Sequence, residues 1–248
     1  MQRRITAPAV ITAAFLALTG CGTGSGTTTA PAATAEAAQA TAAAPTPTPT
    51  PAKTFSNTDL SGLLATLKDA QGKPLTVVPS AQIDQGILKA KEMFKTAVFT
   101  PAECKALADT SSQVPDGSTY AGATSISTAA QTATVVTVIS LKDAQAMTDQ
   151  LNASKAAASA TQCKSFTVEV GGQKITTETT VVNAETNGEK SFAALSKQNL
   201  STGQTQTALT VTGVKGNLAA TAVKTGPAVT EQTSAELIQL INTILAHG

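Results

Sequence analysis

Groups able to do chemistry are few in this chain: three cysteines, one histidine, one tyrosine and sixteen carboxylates among 248 residues. The histidine, His247, stands beside the last residue, where chains commonly fray. That leaves no imidazole for a Ser-His-Asp or Cys-His site and no multi-histidine metal centre. The carboxylates Asp109, Asp116, Asp143, Asp149, Glu169, Glu178, Glu185 and Glu189 are scattered along the chain. They read as solvated surface rather than as the paired acids that hydrolysis without histidine needs. Arginine, the planar reader of phosphates and guanine edges, occurs only as Arg3 and Arg4, which argues against a nucleic-acid partner. Tyr120 offers a ligand platform, or, as expected here, a strand tyrosine with its ring in the core and its hydroxyl at the rim. Met93-Phe94 reads as core, not as a cofactor box. The expectation is a protein that is not an enzyme and carries no cofactor or metal.

The cysteines carry the strongest signal. Ahead of Cys21 stand Arg3 and Arg4, an apolar stretch from Ala7 to Leu18, and small residues, the architecture of a signal peptide over residues 1–20. The stretch is too short to span roughly 30 Å of hydrocarbon. Leu18-Thr19-Gly20-Cys21 resembles the bacterial lipobox, so Cys21 is expected to be diacylglyceryl-modified and to become the first residue of a mature lipoprotein. At about 0.8 kcal/mol per buried CH₂, two or three acyl chains hold a soluble domain on the outer face of a membrane. Cys104 and Cys163 then remain as an even pair in an oxidising compartment, which reads as a disulfide. Closing a loop of about sixty residues stabilises a fold by about 4 kcal/mol on the chain-entropy argument. A reactive thiol is the alternative, but no histidine is at hand to activate it.

Residues 21–54 are nearly all Gly, Ser, Thr, Ala and Pro, ending in Pro45, Pro47, Pro49 and Pro51 separated by threonines. Such a segment cannot bury a core, and its proline part favours extended polyproline II, so it reads as a stalk. Gly22-Thr23-Gly24-Ser25-Gly26 is not a phosphate loop, for no strand precedes it and no Gly-Lys-Ser/Thr follows. Threonines beside the prolines are candidate sugar acceptors. Residues 55–248, about 190 in number, suffice for a single domain of ordinary size.

Within that domain, Ser56-Asn57-Thr58-Asp59 has the form of a capping box before Leu60, Leu63, Leu64 and Leu67 at helical spacing. Leu75 to Val78 reads as a short strand and Ile83 to Phe94 as a second helix. After the brief apolar run Ala97 to Phe99, Thr100-Pro101-Ala102-Glu103 reads as an N-cap, a first-turn proline and a reciprocal cap, putting Cys104 in the first turn of a third helix. Thr119 to Ser127 and the β-branched Thr132 to Ile139 read as strands. Ser140 and Asp143 are expected to start an alanine-rich helix reaching about Ala160. Phe166 to Val170 turns through Gly171-Gly172 into Ile175 to Val182. Phe192 to Leu200, Thr205 to Val214 and Leu218 to Lys224 follow as a meander, and Thr230 to Ala246 as a closing helix. Helices at the two ends with strands between them give an α+β class, with an antiparallel sheet of about six to seven strands and one disulfide.

The elements around the two later cysteines resemble the PknH-like sensor domain family, the extracellular domain of a mycobacterial receptor Ser/Thr kinase and of lipoproteins that share it. The matching features are Thr100-Pro101-Ala102-Glu103-Cys104, Gly117-Ser118-Thr119-Tyr120, the valine strand Thr134-Val135-Val136-Thr137-Val138, the Asp143-Ala144 helix start and Cys163-Lys164-Ser165-Phe166-Thr167-Val168. The likeness runs over about residues 55 to 247. The family usually has a second disulfide near its end and often a tryptophan before the cysteine of the long helix, and this chain has neither. The resemblance implies that Cys104 and Cys163 clamp a helix to the sheet and that a cleft between helices and sheet takes an unidentified envelope ligand. It places no ligand-binding residue.

These expectations converge on a lipid-anchored, extracytoplasmic, non-catalytic binding or sensor-type lipoprotein of the cell envelope, with the membrane as partner through its acyl anchor and a further envelope ligand or protein partner unidentified. The alternative is an envelope lipid carrier with an apolar pocket.

Overall fold

The computed structural model describes residues 53–105 and 114–248. The leader, Cys21, the stalk as far as residue 52, and Asp109 lie outside the described residues, as does the expected third helix beyond Lys105.

The first helix, α1 (Asn57–Ala65), starts where the capping box predicts. The backbone N–H of Ser56 donates to Asp59 Oδ2 at 2.9 Å and that of Asp59 to Ser56 Oγ at 3.2 Å. Both are donors that a helix start leaves orphaned. β1 (Thr76–Val78) leads into α2 (Ser80–Lys95) and then β2 (Val98–Thr100). β3 (Thr119–Ser127) and β4 (Thr132–Ser140) precede α3 (Ala144–Ser159), whose N-cap Asp143 accepts from the Gln145 N–H at 2.9 Å. β5 (Ser165–Val170) and β6 (Gln173–Val181) form a hairpin through Gly171 and Gly172, both at positive φ (58° and 73°), where a side chain is strained. β7 (Lys190–Leu200), β8 (Thr205–Lys215) and β9 (Leu218–Gly226) complete the meander, and α4 (Ser234–Leu245) closes the described chain.

All the strands join one antiparallel sheet in the order β1-β3-β4-β9-β8-β7-β6-β5-β2. The α+β class stands, but the sheet has nine strands rather than six or seven. The short edge strands β1 and β2 enlarge it. At three residues, β2 shows too little alternation to read locally, and its ladder comes from β5 far along the chain, Val98 opposite Glu169. The expected cap at Thr100 is also corrected. Thr100 pairs with Thr167 in that ladder, and the following 3₁₀ turn Ala102–Cys104 starts from Pro101 with no side-chain cap. Ser140 likewise ends β4 rather than starting α3, and its Oγ accepts from the Phe55 N–H at 3.0 Å.

Strand alternation sends the side chains to two faces with different cover. On the front, α1 and α4 bury Leu60, Leu64, Leu237 and Ile241 against Val136, Val138, Leu209 and Val211 in the largest core cluster. Each such side chain contributes roughly 1.5–3 kcal/mol on full burial. Gly213 lets α4 approach closely, since a Cβ there would lie 2.8 Å from Ile241 Cγ2. On the back, α3 sets Met147 and Leu151 against Ile139, Val214 and Ala219.

The back also carries α2, which leaves one edge strand, β1, and runs to the other, β2. Its Ile83 lies over Gly122 of β3, and its Phe94 stacks on Phe99 of β2 with ring centroids 6.3 Å apart. Six inter-strand steps from β3 to β5 measure roughly 29 Å, and sixteen helical residues reach about 24 Å. Side-chain reach at the two ends covers the difference, so α2 straps the back of the sheet across nearly its whole width.

Candidate functional site

Two anchors hold the strap. At the far end Cys104 and Cys163 form a disulfide, with Cα atoms 5.4 Å apart, inside a cluster of Phe94, Phe99, Phe166 and Val168. It joins two 3₁₀ turns, Ala102–Cys104 after β2 and Thr161–Cys163 between α3 and β5, and both sulfur-bearing residues are buried. At the near end the half-buried Tyr120 donates its hydroxyl to Asp84 Oδ1 on α2. Burial, and next the hydrogen bond and charge of Asp84, push the phenol up to about 12. Tyr120 thus has its ring against the α3 cluster and its hydroxyl on α2, as a strand tyrosine with a core ring and rim hydroxyl does. Met93 and Phe94 part company: Phe94 is buried in the disulfide cluster, while Met93 is 41% exposed.

Between those anchors lies a trough of unusual chemistry. At one level across the sheet the back-facing residues, directly opposite one another, are Thr124, Val135, Val223, Thr210, Ala194 and Val181. The next level holds Gly122, Thr137, Thr221, Thr212 and Phe192. The level on the other side holds Ile126, Ala133, Thr225, Ala208, Ser196 and Thr179. No side chain in the three levels is charged. Thr124, Val135, Val223, Thr210, Thr137 and Thr221 are half-buried, neither sealed into a core nor fully open to water. Above them α2 turns Ile83, Ile87, Ala90 and Phe94 inward at helical spacing. Ile87 is only 7% exposed yet belongs to none of the three core clusters.

The acids picked out by sequence do not gather. Glu169 stands opposite Lys174, and Glu178 opposite Lys197, exposed on the front of β5, β6 and β7. Asp149 accepts from Gln145 Nε2 at 2.7 Å, and Glu189 accepts from the Gly216 N–H at 3.4 Å. Asp116 and Glu185 are exposed, and Asp143 is the cap of α3. Among the described residues no group of His, Cys, Asp and Glu could hold a metal ion, and no helix is long and apolar enough to cross a membrane. His247 is exposed on an open front cleft of about 450 Å³ between α1 and residues 53–55. A second cleft of about 280 Å³ separates the end of α1 from α4. There Asp69 accepts from Ser125 Oγ at 2.6 Å and from the Lys73 N–H at 2.8 Å. The Ser125 hydroxyl, helped by these backbone donors against the opposing effect of burial, holds the Asp69 carboxyl below its ordinary value.

Sequence reading missed Asp84, the strap and the trough. The strands did carry a signal for the trough, since 119–127, 132–140 and 218–226 lack any charge at every second position. Knowing which face those positions share required the register.

The solved structures to which the chain is similar include two from mycobacteria. No family model and no curated protein matches it. One of the two is the ortholog of Rv0999 from Mycobacterium smegmatis, at 12% identity over 61% of this chain and 77% of that one, with a TM-score of 0.41. The other is the extracellular domain of PknH from Mycobacterium tuberculosis, at 12% identity over 77% of this chain and 98% of that one, with a TM-score of 0.46. The second is the domain whose family the motifs around Cys104 and Cys163 resemble. Neither likeness is close enough to carry a function across.

Proposed function

We propose that this chain is a lipid-anchored, extracytoplasmic, non-catalytic binding module of the cell envelope, with the strapped trough on the back of the sheet as its ligand surface. The trough carries the proposal. A sheet face that merely meets water tolerates charge, as the front of β5 to β7 does, whereas this one excludes it over five adjacent strands while leaving most of its side chains half-buried or exposed. Ligand sites share this character: mostly apolar, with a few hydroxyls for orientation. The anchor at Cys21, the stalk to residue 54 and a single binding domain over 55–248 belong to the same reading and rest on the lipobox-like Leu18-Thr19-Gly20-Cys21 and the composition of the segment that follows. An envelope lipid carrier is the second reading, favoured by the same lack of charge.

A thermal-shift screen of the protein against envelope lipids, glycans and peptides tests the ligand surface. A true ligand at a hundred times its dissociation constant adds about 2.7 kcal/mol, and Val223→Lys is expected to abolish that gain. No stabilising compound in any class, or a gain that survives Val223→Lys, would sink the proposal. For the anchor, Cys21→Ser is expected to move the protein out of the membrane fraction, and a variant that still partitions fully into membranes would contradict it.

A further inference from the structure

We propose that the trough binds a neutral acyl ester, with Thr179 as the residue that recognises the ester; the inference rests on the trough being the ligand surface. Thr179, 4% exposed, ends the level that runs Ile126, Ala133, Thr225, Ala208 and Ser196, and its Oγ1 is buried with no hydrogen-bond partner. A buried hydroxyl left unpaired costs stability, and such groups in folded proteins are rare. A ligand that brings an acceptor to it removes the deficit.

The surroundings define the rest of that ligand. A carboxylate or phosphate lying in the trough would lose its hydration with no opposite charge to meet it, because the three levels carry none. Small residues, Gly122 on β3, Ala133 on β4, Ala208 on β8 and Ala194 on β7, keep the floor low on both sides of β9. Among the described residues the five exposed large apolar side chains are unevenly placed: Leu88 and Met93 are on α2, Ile126 and Val181 on the trough levels, and Val98 on β2. An alkyl chain is the complement of a floor of methyls under an apolar helix stripe, and an ester carbonyl is a neutral acceptor suited to a hydroxyl donor.

The test compares 1-monopalmitoylglycerol, its ether analogue 1-O-hexadecylglycerol, and palmitate, by titration below their micellar concentrations against the full chain. The expected order is ester tightest, ether about tenfold weaker and palmitate weaker still. Thr179→Val should erase the preference of ester over ether while leaving the melting temperature of the free protein unchanged or raised, because it removes an unpaired hydroxyl. Thr179→Ser should keep the preference, and covers the case in which the valine variant does not fold. Ala208→Ile should block all three probes. Palmitate binding as tightly as the ester, or an ester preference that survives Thr179→Val, overturns the inference. If no acyl probe binds but a glycan or peptide from the wider screen is lost with Val223→Lys, the acyl assignment fails and the ligand surface stands; if nothing binds in any class, both fail.

Discussion

Two regions of the sheet that are not sealed into a core differ in chemistry. On the front, beyond the cover of α1 and α4, β5 to β7 place Glu169 opposite Lys174 and Glu178 opposite Lys197, all exposed. On the back, the three levels across β3, β4, β9, β8 and β7 present mostly threonines, valines and alanines, with no charge. Both are built from strands of similar propensity, so backbone preference does not explain the contrast. What differs is what the side chains are for. Opposite charges on neighbouring strands keep a water-facing surface soluble and discourage edge pairing, while a neutral surface under a strap is suited to something less polar than water.

The sharpest way to break this comparison is to free the strap. Replacing Cys104 and Cys163 together by alanine should cost about 4 kcal/mol for a loop closed over 59 residues, read as a drop in denaturation midpoint. Amide exchange should quicken in α2 and β2 and stay unchanged in α1; uniform quickening would mean that the disulfide supports the whole fold rather than the strap. Next, Leu60→Ala should cost about 3 kcal/mol, because Leu60 is fully buried in the largest cluster. Ile87→Ala should cost less than about 2 kcal/mol, since Ile87 belongs to none of the three buried clusters. Equal losses would show that the space under α2 is packed like a core.

A smaller effect is spectroscopic. The chain has one tyrosine and no tryptophan, so ultraviolet titration reports Tyr120 alone. Its folded pKa is raised, so the stability it contributes is whole below about 10 and fades as pH climbs through about 12. Asp84→Asn should move the midpoint back toward 10, and an unmoved midpoint would mean that α2 is not held there. Least of all, Glu178→Gln with Lys197→Gln on the charged front patch should change stability by no more than about 0.5 kcal/mol.

Local chemistry made much of the fold legible. Ser56 and Asp59 announce α1, the glycine pair at 171–172 announces a hairpin, and Leu237, Ile241 and Ile244 at helical spacing announce α4. What the sequence concealed depends on pairing across distance. β2 is a strand because β5 lies beside it, Thr100 is in that ladder rather than a cap, and Asp84 meets Tyr120 across 36 positions. Half of the trough was visible as missing charge, but its neutrality becomes a surface only when register aligns five strands. The unpaired hydroxyl of Thr179 exists only in three dimensions.

Carbene footprinting of the protein with and without an envelope lipid extract tests the central claim most directly. Labelling should fall at Val135, Val223 and Ile126 on the back of the sheet and stay constant along β5 to β7 on the front. Unchanged labelling of the trough, or protection confined to the charged front patch, would contradict the account.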